Sequence, residues 1–227
     1  MITILHGDNT IKSRQKLVEI ISEAKDKDIK IKRLEARRLT PAELEQNLTS
    51  SDLFGNERLV VVEELHSQQR SKRKKRLIEL ITETNTNVCL WEKRELTKTM
   101  LKKFKQAKVH QFKLSSSLFD WLDSVQPNQR TKKKQLQLLR KAIDANDEYV
   151  CFAMLARQVR LMIQAKDGGK VSGPPFVVRK INRQASRFSL RQLLQFHSQL
   201  HLLDFQLKTS NNLTDLATAL ETIIVNL

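Results

Sequence analysis

Four stretches of the chain carry residue types that would do chemistry. The first is Gly7-Asp8-Asn9-Thr10-Ile11-Lys12-Ser13, which follows a short apolar run and has the glycine, lysine and serine of a phosphate-binding loop. A working loop reads GxxxxGK[ST], and its backbone N–H groups form a nest that depends on the second glycine. That glycine is missing, and Lys12 and Ser13 come one residue too early after Gly7. The segment therefore reads as an ordinary strand-to-helix turn with Asp8 or Asn9 as cap. The second stretch, Val60-Val61-Val62-Glu63-Glu64, is an apolar run ending in acids of the kind that hold magnesium and activate water in ATPases. Without a phosphate loop they have nothing to act on, and a solvated strand end is the simpler reading. The third, Arg70–Arg76 (RSKRKKR), contains Arg73 and Lys74 and fits bound phosphates and a solvated helix face equally. The fourth is the set Arg157, Arg160, Arg179, Lys180, Arg183, Arg187 and Arg191. Arg179, Arg183 and Arg187 are spaced four apart, which puts them on one helix face, suited to a phosphate backbone or an acidic partner.

Nucleophilic and metal chemistry find no support in the sequence. No serine, histidine and acid fall into a grouping. His6, His66, His110, His197 and His201 read as exposed or partly buried side chains. The histidines and the two cysteines show no zinc spacing. Cys89 and Cys151 sit in apolar stretches and read as buried free thiols. No metal and no cofactor is expected.

One further segment is less easily placed. Ser51-Asp52-Leu53-Phe54-Gly55 sets two large apolar residues in a polar stretch just before an apolar strand. They are either core anchors or an exposed binding plug. Physics alone favours the core.

The elements that must hold these residues come in two rhythms. In the first half, short apolar strands (Ile2–His6, Ile29–Leu34, Leu59–Val62, Val88–Trp91, Val109–Leu114) alternate with helical patterns, which predicts βαβ units and a parallel sheet. Pro41 after Thr40 marks a helix start. In the second half only 3.6-residue periodicity remains, over Lys132–Ile143, Asp147–Gln164, Phe176–Ala185, Leu190–Lys208 and Leu213–Val225. The polar, basic Ser124–Lys134 reads as the link. The predicted architecture is an α/β domain over 1–125 followed by an all-helical domain over 126–227.

The chain has 227 residues with 40% hydrophobic and 29% charged, which excludes a disordered tail. No apolar run approaches the length of about 20 residues needed to span a bilayer. The start, MITILHGDNT, shows no signal-peptide pattern, so a cytoplasmic location without membrane contact is expected. The net charge is +16 and the pI near 10.0, which points to polyanionic partners. Residues 126–227 hold 16 basic and 7 acidic groups and are the more basic half. Aromatic content of 5% is poor for binding single strands by stacking, so phosphate contact is the better expectation.

Several positions in order resemble the delta subunit of the bacterial DNA polymerase III clamp loader. They are the ITILHG start; Ser51–Gly55 leading into Arg58-Leu59-Val60-Val61-Val62; Ala156-Arg157-Gln158-Val159-Arg160-Leu161; Pro175–Lys180 with Gln184-Ala185 and Phe188-Ser189-Leu190; and Leu203-Asp204-Phe205 with Leu207-Lys208-Thr209. No one of these is specific, but their order and spacing are. The resemblance implies an AAA+-like domain that has lost its ATPase, followed by a helical collar that packs subunits together. It implies a non-catalytic subunit that binds and helps open the sliding clamp during replication, with the other loader subunits and primed DNA as partners. It assigns Leu53 and Phe54 to the clamp pocket, against the reading from physics alone. Family members usually carry a small helical lid between the two domains, for which this chain leaves no room. A basic nucleic-acid-binding protein built on the same scaffold is the alternative reading.

Overall fold

The computed structural model describes residues 1–49, 57–209 and 214–227. They divide into two compact units, Met1–Leu114 and Ser115–Leu227.

The first unit is a five-stranded, wholly parallel sheet. Its strands are β1 (Ile2–His6), β2 (Lys30–Glu35), β3 (Arg58–Glu63), β4 (Asn87–Glu92) and β5 (Lys108–Gln111), in the spatial order β2-β3-β4-β1-β5. Four helices connect them: α1 (Thr10–Asp26), α2 (Pro41–Thr49), α3 (Lys72–Glu83) and the short α4 (Lys98–Leu101). Side chains alternate between faces along each strand, so consecutive apolar residues serve two cores. Ile4, Val60, Val62, Val88 and Leu90 pack with Leu44 and Leu48 of α2, Leu77 and Ile81 of α3, and Leu96 and Phe104. Leu5, Leu59, Val61, Cys89 and Trp91 pack on the other face with Leu17 and Ala24 of α1.

The connections fix where a site would lie. From β1 the chain crosses to β2 at one edge; from β4, the neighbour of β1, it crosses to β5 at the other. The loops leaving β1 and β4 therefore diverge. The crevice at their carboxyl ends is the topological switch point, where open α/β sheets bind ligands.

The second unit is all-helical: α5 (Ser116–Ser124), α6 (Lys132–Asn146), α7 (Glu148–Lys166), α8 (Pro175–Ala185), α9 (Leu190–Lys208) and α10 (Leu216–Val225). Only Phe112–Ser115 separate β5 from α5. The expected division at 125/126 thus differs from the compact units, which part before α5. Leu118, Trp121 and Leu122 are buried among the helices, and both ends of α5 are tied there. Ser115 N–H donates to Asn146 Oδ1 at 2.9 Å. At the other end, Gln184 Nε2 on α8 donates to the carbonyls of Leu122 (2.8 Å) and Val125 (2.9 Å), satisfying helix-end acceptors. The predicted polar link also does more than connect. Lys132 is 8% exposed, and its Nζ donates to Ile224 O at the carboxyl end of α10, where a cation is favoured. Asp147 alone joins α6 to α7 and takes φ +124°, its carboxylate capping α7 through Tyr149 N–H at 2.8 Å.

Candidate functional site

The turn from β1 into α1 is closed on itself. Gly7 has φ +134°, and a Cβ there would lie 2.0 Å from Phe112 O, so only glycine fits. Asn9, 1% exposed, is the N-cap: its Oδ1 accepts from Lys12 N–H at 3.1 Å, and its own N–H donates to Phe112 O at 3.0 Å. Thr10 N–H donates to Asp8 O at 3.1 Å. Four of the donors that would cradle a phosphate, the N–H groups of Asn9, Thr10, Lys12 and Ser13, are thus engaged by protein oxygens. Ser13, which the motif would offer to a metal, is fully buried. It accepts from Trp91 Nε1 at 3.1 Å and donates to Thr10 O at 3.1 Å.

Beside the switch point, at the end of β3, the strand-end acids are not the solvated groups expected. Glu63 accepts from Arg14 through Oε2 (2.6 Å) and from Arg33 through Oε1 (2.7 Å), so each carboxylate oxygen has an arginine. Burial pushes the Glu63 carboxyl up, but the two guanidinium groups outweigh it and hold the pKa below the ordinary carboxylate value. The Arg14 guanidinium also lies 3.6 Å from the centroid of the Trp91 ring, a cation–π contact. Glu64 takes φ +58° and pairs with Lys93 at 2.9 Å.

Two histidines expected at or near the surface are in fact buried. Glu92, with no exposed surface, accepts from His66 N–H at 2.7 Å and lies 3.0 Å from His66 Nδ1. His6 Nδ1 accepts from Leu96 N–H at 3.2 Å, and burial lowers its pKa against the opposing charges of Glu95 and Glu92. Sequence reading missed Arg14, Arg33, His66, Trp91 and Glu92 as a group. The only available signal was that β1, β3 and β4 all end in a polar or aromatic residue.

The candidate binding residues fare differently. Leu53 and Phe54 lie outside the described residues. Arg73 is held by the carbonyls of Arg37 (3.2 Å) and Leu39 (3.4 Å). Lys74 is held by those of His66 (2.8 Å) and Gln68 (2.7 Å), and burial lowers its pKa. Both side chains pin loops of their own unit. Arg157, Arg160, Arg179 and Arg183 are exposed and make no ion pair among the described residues. Arg187 lies in the turn after α8 and donates to Gln126 Oε1 at 2.9 Å. No group of His, Cys, Asp and Glu among the described residues is arranged to hold a metal ion.

A parallel α/β unit followed by a helical unit is thus the framework, and the helical unit places the chain. The family model of the DNA polymerase III delta subunit, C-terminal domain, matches residues 115–227, the same bounds as the second compact unit. Residues 115–227 are thus a C-terminal domain of the DNA polymerase III delta subunit family. The solved structure of the Bacillus subtilis DNA clamp loader delta protein (YqeN) is similar at 16% identity, over 99% of this chain and 94% of that one, with a TM-score of 0.49. No curated protein matches the chain.

Proposed function

We propose that this delta-type subunit binds a DNA sliding clamp and helps open it during replication, without hydrolysing ATP itself. The observation that carries the reading is the match of the whole helical unit, 115–227, to the delta C-terminal domain. In this reading the helical unit assembles with the other loader subunits and the sheet unit holds the clamp. Leu53 and Phe54 enter the clamp pocket. The self-satisfied turn at Gly7–Ser13 and the arginine-occupied Glu63 support a subunit that leaves nucleotide chemistry to a partner. No helix among the described residues is long and apolar enough to cross a membrane, and a cytoplasmic location is part of the same proposal.

The deciding experiment is size-exclusion chromatography of the full chain with the host sliding clamp at physiological salt. Co-migration is expected; separate elution of the two proteins contradicts the reading.

A further inference from the structure

The longest run of the chain without an acidic residue lies in the helical unit. No acidic residue occurs between Asp167 and Asp204, a stretch that holds Lys170, Arg179, Lys180, Arg183, Arg187 and Arg191. Its centre is α8, whose buried side is Ile181, Gln184 and Ala185. Gln184 is fixed between Gln158 Nε2 (2.7 Å) and the carbonyls of Leu122 and Val125, so the roll of the helix is set. The opposite side carries Phe176, Arg179, Lys180 and Arg183, all exposed. Lys180 is partnered by Asp123 at 2.5 Å, and no carboxylate lies within 4.0 Å of Arg179 or Arg183 among the described residues.

We infer that the outer face of α8 is a docking site for the phosphate backbone of DNA, centred on Arg179 and Arg183. An acidic protein surface is the competing partner, and the make-up of the face speaks against it. Protein–protein interfaces also use arginine, but set it among buried aromatic anchors and deplete lysine and serine. Here the centre is arginine, interspersed with exposed Asn182 and Ser186, and the one large apolar group, Phe176, stands at the amino end. Interfaces with DNA are more polar and far more positive. Guanidinium forks grip phosphate oxygens in pairs, and successive arginines about 6 Å apart along the axis reach different phosphates. This inference is independent of clamp binding, which the proposed function assigns to the other unit.

The test uses the full chain and a short fluorescein-labelled DNA duplex, with affinity read by anisotropy over a salt series. Arg179→Ala/Arg183→Ala should weaken binding by about tenfold or more at low salt and reduce the slope of log K against log salt by about 1.8. Lys102→Ala/Lys105→Ala removes the same charge from exposed sites on the sheet unit and should change affinity by less than about threefold. Arg179→Lys/Arg183→Lys should keep the slope while losing part of the affinity, since lysine keeps the charge and lacks the fork. Circular dichroism confirms that each variant is folded. Equal losses in the two alanine pairs overturn the site in favour of diffuse charge. An unchanged affinity in Arg179→Ala/Arg183→Ala overturns it in favour of an acidic protein partner. Clamp co-migration of the same variant should be normal, so the outcome here is separable from the fate of the clamp reading.

Discussion

Arg14 on α1 and Glu63 at the end of β3 meet at 2.6 Å, 49 residues apart in sequence, one strand away from the point where the strand order of the sheet reverses. The pair, with Arg33 on the far oxygen, occupies the carboxyl end of the strand that would carry catalytic acids in a nucleotide hydrolase. Because the folded-state pKa of Glu63 is depressed, its contribution is present above the unfolded carboxylate pKa of about 4.3 and is lost as pH falls through the folded value. Glu63→Gln should cost about 1–2 kcal/mol near neutral pH, discounted because both arginines are partly solvated. Denaturant titrations of both proteins should draw together as the pH falls from the unfolded carboxylate pKa of about 4.3 through the lower folded value. A gap that persists undiminished in acid would show that packing, not charge, is at stake.

His6 should make the sheet unit acid-sensitive in a second window. Its Nδ1 accepts a backbone N–H, and a protonated ring has no lone pair to offer. The lowered pKa means that the folded state resists a proton the unfolded chain takes up near pH 6.5. Stability should therefore be complete above about pH 6.5 and fall as the pH drops through it. NMR titration of the His6 ring should give a midpoint below the unfolded value. A midpoint above it contradicts the assignment.

Cutting the chain at two nearby places should give opposite results. Residues 115–227 should fold alone with native helicity. Residues 126–227 should not, because removing α5 strips Leu118, Trp121 and Leu122 from the core at about 1.5–3 kcal/mol each. Three such losses approach the whole stability of a small domain, about 5–15 kcal/mol. Cooperative melting of the shorter fragment at the same temperature as the longer one would return the boundary to 125/126.

The pair Leu53 and Phe54 gives the sharpest check on the proposed function. Two side chains in a clamp pocket would contribute roughly 3–6 kcal/mol. Their joint replacement by alanine should then weaken clamp binding by about a hundredfold or more while leaving the melting temperature nearly unchanged. If instead they are core anchors, each truncation costs about 2–5 kcal/mol of stability. A large fall in melting temperature with normal clamp affinity in the folded fraction would remove them from the interface.

Calorimetry with ATP should show no tight complex. The N–H groups of Thr10 and Lys12 are already bonded within the turn and that of Asn9 to Phe112 O, and displacing them has no compensating glycine flexibility at Ile11. Tight binding that disappears in Lys12→Ala would contradict this directly.

Strand and helix identities were legible because their periods differ. The doubly covered sheet announced itself in LVVV and VCLW, and α9 was bounded by Ser189, whose capping box with Gln192 the structure contains. What escaped was every feature that depends on partners distant in sequence. Arg73 and Lys74 looked like free charges, yet their carbonyl partners include Arg37 and Leu39, which come to that spot only through the crossover to β2. Lys132 looked like linker charge, and its partner is 92 residues away. His6 and Glu92 are buried because they finish β1 and β4, which the fold brings side by side, and His66, in the turn after β3, is held by Glu92; no spacing within the chain encodes this. Arg179 and Arg183, by contrast, were readable as one face because helical spacing is local.

The two tryptophans fall one to each unit. Trp91 lies beneath the Arg14 guanidinium in the sheet core, and Trp121 is fully buried among the helices. Replacing either by phenylalanine leaves a protein with a single indole confined to one unit. The sequence thus contains its own pair of optical reporters. Emission from Trp91 follows the loss of the arginine–aromatic stack as the sheet opens, and emission from Trp121 follows the release of α5. The order in which the two halves come apart can be watched without attaching any dye.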